Sequence, residues 1–330
     1  MINVRHITVA ESDDGQRLDR WMKKVVPEIP YVLAQKMIRK GAVRVDGKRA
    51  NMDTRLVAGQ DVRIPPVEEK TKTKKEYIPN DKDRALLADI TMFDDGDIIA
   101  FNKPSGLASQ GGGGVEWQID EMLILLTDRK GRRPHLIHRL DRDTSGVLLC
   151  ARSPSAVRNL GRSMMGRQAT KIYWALCAPS PEQNDGLIRA PLAKASGPHK
   201  DRMVIDEGPE GKFAATDFKV MERAGTKAAF VAFRPQTGRT HQIRVHAADV
   251  LNCPLIGDEK YGGHAEALDG LELADRLHLH ARRLRIPHPT EEGQMLDFTA
   301  PLPPELEKSW RTLGFDIKGL DEDPFAHDAL

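Results

Sequence analysis

The stretch HLIHRLDRDTSGVLLCAR, residues 135–152, places a charged turn directly before an apolar run. Residues 147–151 are typical of a buried strand, and the Thr-Ser-Gly sequence at 144–146 favours a turn that exposes what precedes it. Asp141 lies in this turn between Arg139 and Arg142. Guanidinium groups favour the ionised form of a neighbouring carboxyl. Asp141 is therefore predicted to act as a base, a nucleophile or a ligand, and not as a general acid.

The residues alone leave two alternative roles open for this carboxylate. Asp141 can form a structural salt bridge within an arginine-rich turn. It can also act together with Asp143, since residues two apart point the same way in an extended segment. That D-x-D pair would fit a metal-dependent glycosyl-transfer enzyme or a paired-carboxylate glycosidase, although so short a pattern is weakly specific.

A second cluster of charge occupies FRPQTGRTHQIRVHAADV, residues 233–250. Its arginines, Arg234, Arg239 and Arg244, flank a Thr-Gly turn, and side chains of this kind bind phosphates or fix the position of a carboxylate. His241 and His246 have four residues between them, whereas two metal ligands on one helix face need three. No metal site is predicted here.

Alternating apolar runs predict a sheet-based domain after residue 86. Strands are expected at 98–101, 147–151, 171–176, 214–220 and 228–233. In the third of these, KIYWALC, Tyr173 is either a core residue or a platform on which a nucleobase stacks. Few long helical patterns separate the strands. The predicted fold class is α+β, built on a mixed, mainly antiparallel sheet.

The first 65 residues form a block of a different kind. Apolar spacing predicts two helices, then a hairpin around Asp46-Gly47 and a short closing strand. Residues 17–63 contain twelve basic and five acidic residues, a local charge of +7. A run of basic residues can simply be a solvated helix face. The arrangement of these residues around two helices and a tight turn is also typical of proteins that bind phosphate backbones. The block resembles the S4 RNA-binding domain. Its candidate RNA-binding residues are Arg17, Lys36, Arg39, Lys40, Arg44, Lys48 and Arg49.

The composition along the chain also predicts domain boundaries and argues against membrane-spanning and secreted proteins. We expect a domain at 1–65, a Pro- and Lys-rich linker at 66–86, a second domain at 87–318 and a disordered acidic tail at 319–330. Three cysteines without CxxC spacing predict reduced structural thiols. No apolar segment is long enough to span a membrane or to act as a secretory signal, so a cytoplasmic protein is expected.

Five motifs in order carry a family resemblance: NKPSGL, HRLDRDTSG, KIYWAL, RPQTGRTHQIRVH and LHLHARRL. They resemble the pseudouridine synthases that include the large-subunit ribosomal RNA enzymes, and together with the S4-like block they cover nearly the whole chain. The likeness is greatest to the RluC-like 23S rRNA enzymes. It implies an enzyme that isomerises uridine in RNA, with RNA as partner, no cofactor, no metal and no membrane, acting as a monomer.

The resemblance also implies roles for single residues. Asp141 would be the catalytic carboxylate, Arg244 would pair with it, and Tyr173 would stack on the target uracil. Arg139 would fill the gap left by the flipped nucleotide. Further RNA contacts are expected from Arg142, Arg239, His241 and Gln242. The QGGGGV segment at 110–115 lacks the ending of a phosphate loop and is expected to be a flexible loop near the substrate.

Three alternative functions stay open beside this one. The first is a non-catalytic S4-type RNA-binding protein that assists ribosome assembly, which would need a damaged motif at Asp141, Tyr173 or Arg244. The second is the metal-dependent D-x-D enzyme. The third is a synthase that modifies transfer RNA instead of ribosomal RNA.

Overall fold

The computed structural model describes residues 4–66, 78–111, 117–166, 168–197, 201–263, 268–317 and 323–326. The chain divides into two compact units, Met1–Glu76 and Tyr77–Leu330.

The first unit is a small sheet with two helices. The helical residues Leu18, Trp21 and Met22 are buried together with Ile38 of the second helix. The turn between the hairpin strands has φ +49° at Asp46 and +73° at Gly47, as a two-residue type I′ turn requires. The predicted helices and hairpin are thus confirmed, and the structure also contains a first strand that the sequence did not predict. The elements are β1 Arg5–Thr8, α1 Leu18–Val25, α2 Tyr31–Arg39, β2 Arg44–Val45, β3 Lys48–Arg49 and β4 Asp61–Ile64, with the antiparallel strand order β1-β4-β2-β3.

The second unit contains all five strands predicted from the sequence. The helices are α3 Asp81–Ile90, α4 Ile119–Met122, α5 Pro154–Met165, α6 Gln242–Val245 and α7 Pro304–Thr312. The strands are β5 Thr91–Asp94, β6 Ile98–Lys103, β7 His135–Leu136, β8 Ser145–Ala151, β9 Thr170–Cys177, β10 Asp185–Arg189, β11 Leu192–Lys194, β12 Met203–Ile205, β13 Ala215–Ala224, β14 Ala228–Pro235, β15 Leu279–Pro287 and β16 Met295–Thr299.

Ten of these strands form one sheet in the order β10-β13-β14-β9-β15-β8-β6-β5, with β16 beside β15 and β7 beside β8. The β15–β8 pair is parallel and the other pairs are antiparallel, so the predicted α+β class with a mixed, mainly antiparallel sheet is confirmed. Helix α7 covers one face through Trp310, whose ring lies 5.6 Å from that of Phe230. Helix α5 packs Ala156 and Leu160 against the other half of the sheet.

Strand β15 lies at the centre of the sheet, yet no sequence pattern predicted it. Its sequence LHARRLRIP carries three arginines, which are uncommon in a central strand. The structure accommodates two of them with specific partners. The Arg282 guanidinium lies 4.4 Å from the centroid of the Trp174 ring, and Arg283 pairs with Asp297 of β16.

The structure differs from two of the predicted boundaries. Helix α3 begins at Asp81, inside the expected linker 66–86, because Asn80 and Asp83 form a capping box that starts it there. The structure describes one segment, residues 323–326, of the tail 319–330 that was expected to be disordered. Phe325 is buried there, with the Arg234 guanidinium 4.6 Å from its ring centroid. Residues 67–77, 318–322 and 327–330 lie outside the described residues.

The three cysteines, Cys150, Cys177 and Cys253, are free and buried, in agreement with the expected structural thiols. Burial raises the pKa of the Cys150 thiol, and burial together with the neighbouring Cys253 raises that of Cys177. These two thiols are therefore protonated at neutral pH, and all three are shielded from solvent.

Gly146 allows β8 to approach β15 directly behind the Asp141 turn. Its φ is +112°, and a Cβ there would lie 2.2 Å from the Ala281 carbonyl oxygen. We expect Gly146→Ala to destabilise the protein by about 2–4 kcal/mol, because it adds a backbone clash to an unfavourable φ. Thermal unfolding measures this. Gly225→Ala is the control, since Gly225 has φ +60° but open space around its Cβ position. Equal losses for the two variants would contradict the close-approach argument.

Candidate active site

Asp141 lies on the wall of a cleft of about 1200 Å³ in the second unit. It is in the turn that joins β7 to β8, and its side chain is 30% exposed. It is the one carboxylate among the described residues that line this cleft. The neighbouring Asp143 pairs instead with Arg142, at 3.0 Å between Oδ1 and Nε, and is not among the lining residues described. The two acids of the D-x-D sequence therefore have different surroundings.

Polar contacts from the segment 103–109 hold this turn in place. The fully buried Lys103 ammonium donates to the carbonyls of Pro104 and Leu107 at 2.8 Å and to that of Arg142 at 3.0 Å. Ser109 exchanges two hydrogen bonds with the backbone of Leu140. Burial and the charge of Arg276 lower the pKa of Lys103 to about 7. Lys103 of the NKPSGL motif therefore supports the turn immediately after Asp141, and Ser109, two residues beyond the motif, supports it immediately before.

Arg244 is shared between two carboxylates. Its Nη1 lies 3.9 Å from Asp141 Oδ2, while its Nε and Nη2 donate to Asp258 at 2.7 and 2.6 Å. The Arg244 side chain is 5% exposed and that of Asp258 is fully buried. Burial opposes the charge, but the hydrogen bonds to Asp258 and the charges of Asp258 and Asp141 raise the pKa of Arg244. The predicted Arg244–Asp141 proximity is thus present, but the bidentate pair is with Asp258.

His241 approaches Asp141 from the same side. It adopts a left-handed conformation, φ +53°, before α6, and its Nε2 lies 4.0 Å from Asp141 Oδ2. Its Nδ1 lies 2.8 Å from the Tyr261 hydroxyl, which also accepts a hydrogen bond from the Met203 amide. Burial lowers the pKa of His241, so the ring is neutral at pH 7. A Tyr261 hydroxyl that donates to Nδ1 leaves the ring proton on Nε2, facing the carboxylate.

Tyr173 lines the cleft from β9, with Lys171 on the same face of the strand. This alternation is the one the sequence predicts. Burial and the negative charge of Asp141 raise the pKa of the Tyr173 phenol, which is therefore protonated at neutral pH. A protonated phenol beside an anionic carboxylate can contact a planar base through its ring and hold or pass one proton through its hydroxyl.

The entrance of the cleft is basic. Arg139, Arg142 and Arg239 line the cleft and are exposed to solvent, and the Arg239 Nε donates to the Phe213 carbonyl at 3.0 Å. Gln110 and Gly111 also line the cleft, while residues 112–115 of the expected flexible loop lie outside the described residues.

The expected RNA contact of Gln242 does not agree with its environment. Its side chain is buried, and the amide donates to the Ala215 carbonyl and the Thr216 hydroxyl. Its Oε1 accepts from the Thr237 hydroxyl and the Arg239 amide. All of its hydrogen-bonding groups are thus used to shape the loop that carries Arg239. Gln242 thus supports the wall of the cleft, and its RNA contact stays a prediction.

Asp258 and Tyr261 also belong to the site, although no sequence pattern predicted them. Both lie in GDEKYGG, residues 257–263, a turn in which a Cβ at Gly257 would lie 2.0 Å from the Arg276 carbonyl oxygen. The Asp258 carboxylate also accepts hydrogen bonds from the Lys260 and Tyr261 amides. An acid within a glycine-bounded turn was the signal available in the sequence.

In the first unit, the predicted RNA-binding side chains lie on the surface. The Arg17 side chain, 42% exposed, is held there by a bidentate pair with the buried carboxylate of Asp19 at 3.1 and 2.9 Å. Arg49 donates to the Arg39 carbonyl at 2.7 Å, which links the hairpin to α2. The residues exposed to solvent are Lys36, Arg39, Lys40, Arg44, Lys48 and Arg49.

Neither a metal site nor a membrane span is found in the part of the chain that the structure describes. Those residues contain no cluster of three or more His, Cys, Asp or Glu side chains arranged to hold a metal ion. They also contain no helix with the length and apolar character needed to cross a bilayer. The histidines at 246, 278 and 280 are buried and hydrogen-bonded within the protein.

Comparisons with known proteins agree with this geometry. The RNA pseudouridylate synthase model matches residues 97–249, and the S4 domain model matches residues 16–62. The ribosomal large subunit pseudouridine synthase C of Salmonella typhimurium is 36% identical over 317 residues, 94% of this chain and 97% of the relative. The same figures hold for the protein of that name from Escherichia coli strain K12. The structure of human RNA pseudouridylate synthase domain containing 4 is 27% identical, with a TM-score of 0.59, and covers 72% of this chain and 97% of its own. The chain therefore belongs to the RNA pseudouridylate synthase family and is a pseudouridine synthase with an N-terminal S4 domain.

Proposed function

We propose that this protein isomerises specific uridines of large-subunit (23S) ribosomal RNA, acting as a monomer in the cytoplasm. The observation that carries the proposal is the single carboxylate, Asp141, among the described residues of a cleft with a basic entrance. The relatives named ribosomal large subunit pseudouridine synthase C, which match over almost their full length, favour this substrate. The exposed basic residues of the S4 unit supply the phosphate contacts that an RNA of this size requires.

Asp141 is the group that acts on the nucleotide. The reaction breaks the bond from C1′ to N1, forms a bond from C1′ to C5, and moves the proton from C5 away as N1 gains one. An anionic carboxylate can begin it by attack at C1′, by attack on the uracil ring, or by removal of a sugar proton. Arg244 and His241 hold the carboxylate toward the cleft in each case. No atom or electron is gained or lost overall.

The target uridine has to leave its stack to reach Asp141. Extruding a nucleotide costs a few kcal/mol. Arg139 is exposed at the cleft entrance two residues before Asp141, so it can stack in the vacated position and contact a phosphate. Arg142, Arg239 and the neutral His241 extend this contact surface around the base.

Tyr173 lines the cleft and supplies a ring on which the uracil can stack. We expect Tyr173→Phe to lower kcat by roughly 10²-fold, the size of a general acid–base contribution, while RNA affinity changes less than about twofold because the stacking ring remains. Single-turnover kinetics and filter binding measure the two effects. Tyr173→Leu should weaken binding as well. An unchanged kcat in Tyr173→Phe would remove any proton role for the hydroxyl.

The substrate is tested by supplying the purified protein with transcripts of 23S rRNA and of transfer RNA and by mapping pseudouridine in each. We expect modification at defined sites of the 23S transcript. Modification confined to transfer RNA would overturn the ribosomal substrate. The same mapping on total RNA from a deletion strain identifies the uridines that lose their modification in the cell.

A further inference from the structure

Helix α5 carries an outward-facing stripe that the proposed chemistry does not use. Arg158, Arg162 and Met165 occupy positions i, i+4 and i+7 and so share one side of the helix. All three are exposed, Met165 at 84%. Ala156 and Leu160, on the opposite side, are buried in the sheet. The helix is thus packed against the sheet on one side, and the stripe on its other side faces solvent.

The stripe leads into the cleft. Met164 and Met165, at the end of α5, line the same cleft as Asp141. With a rise of about 1.5 Å per residue, Arg162 lies about 6 Å beyond Arg158 along the axis, and Met165 about 4.5 Å beyond Arg162. A chain lying along the stripe therefore arrives at the catalytic carboxylate. Gly161 lies beside it with open space around its Cβ position, which permits close approach.

The charge of the stripe indicates which kind of molecule it can bind. Helix α5 contains no acidic residue. Among the described residues, neither Arg158 nor Arg162 has an ion-pair partner within 4.0 Å. Two unneutralised guanidinium groups beside an apolar side chain suit a polymer with regularly spaced phosphates and apolar base faces.

We propose that this stripe binds the RNA strand that flanks the target uridine, with Arg158 and Arg162 on backbone phosphates and Met165 against the nucleotide next to the cleft. The proposal rests on the proposed function, because it identifies the flanking strand of the same RNA as the ligand. Phosphate contacts of this kind position the substrate and do not read its sequence.

The test measures the affinity of the full-length protein for a labelled 23S rRNA transcript over a series of KCl concentrations. Arg158→Ala and Arg162→Ala should each weaken binding about 3- to 10-fold at about 0.1 M salt, and each should reduce the slope of log K against log salt by about 0.7–0.9, the value for one lost phosphate contact. The double variant should lose about twice that slope. Arg→Lys at either position should restore the slope, because a point charge is enough.

Lys227→Ala is the matched control. Lys227 is exposed in the turn between β13 and β14, at the far end of β14 from the cleft residue Pro235. The length of β14 separates them by about 26 Å. The control should keep the parent slope. If Arg158→Ala and Arg162→Ala also keep it while the parent protein forms pseudouridine, the flanking-strand site is overturned. A parent protein that binds with the predicted slopes but forms no pseudouridine would overturn the proposed function and leave the RNA site supported.

Discussion

Asp141→Asn is expected to lower the rate of pseudouridine formation by at least about 10⁴-fold while RNA affinity stays within about threefold of the parent. Asparagine keeps the shape of the side chain and removes its negative charge. The turn is held by Lys103 and Ser109 through backbone contacts that the substitution does not touch. The fold should therefore survive, and only the anion that acts on the nucleotide is lost. Tritium release from RNA labelled at uracil C5 measures the rate.

The control for this variant is Asp143→Asn, in the same turn. Asp143 pairs with exposed Arg142 and does not line the cleft among the described residues. Because exposed ion pairs contribute little, turnover should change less than about threefold. Equal losses at both positions, or activity abolished by EDTA, would restore the D-x-D metal hypothesis and remove Asp141 as the sole catalytic carboxylate.

Asp258→Asn is expected to destabilise the protein by about 3–5 kcal/mol and to lower kcat more than it raises KM. The substitution leaves the buried Arg244 guanidinium without its bidentate carboxylate, and an unpaired buried charge costs about this much. Arg244 then has Asp141 as its remaining nearby anion, 3.9 Å away, so the geometry of the catalytic carboxylate should shift. Urea unfolding and steady-state kinetics give the two quantities.

Asp201→Asn is the control for the second prediction. Asp201 also forms a salt bridge to the 257–263 turn, through Lys260 at 2.8 Å, but its side chain is 62% exposed. Its removal should change the free energy of unfolding by less than about 1 kcal/mol. A stability loss in Asp258→Asn without any change in kcat would show that Asp258 supports the fold and does not position the catalytic group.

The sequence predicted those parts of the site whose cause is local. The apolar run after a polar turn predicted β8 and the exposure of Asp141, and alternation predicted the strand that carries Tyr173. No sequence pattern predicted Asp258, because its partner, Arg244, lies fourteen positions away and only the folded chain brings them together. The resemblance predicts an RNA contact for Gln242, but a motif does not reveal which way a side chain points. Its neighbours Thr216 and Thr237 decide that.

The errors in the fold have the same origin. Strand β15 was missed because stacking on Trp174 and pairing with Asp297 accommodate arginines that local propensity disfavours. The segment 323–326 was expected to be disordered because its composition is acidic. The ring of Phe325 is nevertheless buried beside the Arg234 guanidinium. Both cases depend on a contact between segments far apart in the chain, which no window of sequence contains.

The burial of the three cysteines has a practical consequence. Alkylating reagents attack thiolates that they can reach, and Cys150, Cys177 and Cys253 are closed to them in the folded state, the first two with raised pKa values as well. A single cysteine introduced on the surface, at position 165 for instance, can therefore carry a fluorophore or spin label without prior removal of the natural ones. Such a reporter beside the cleft would follow the arrival of RNA in real time.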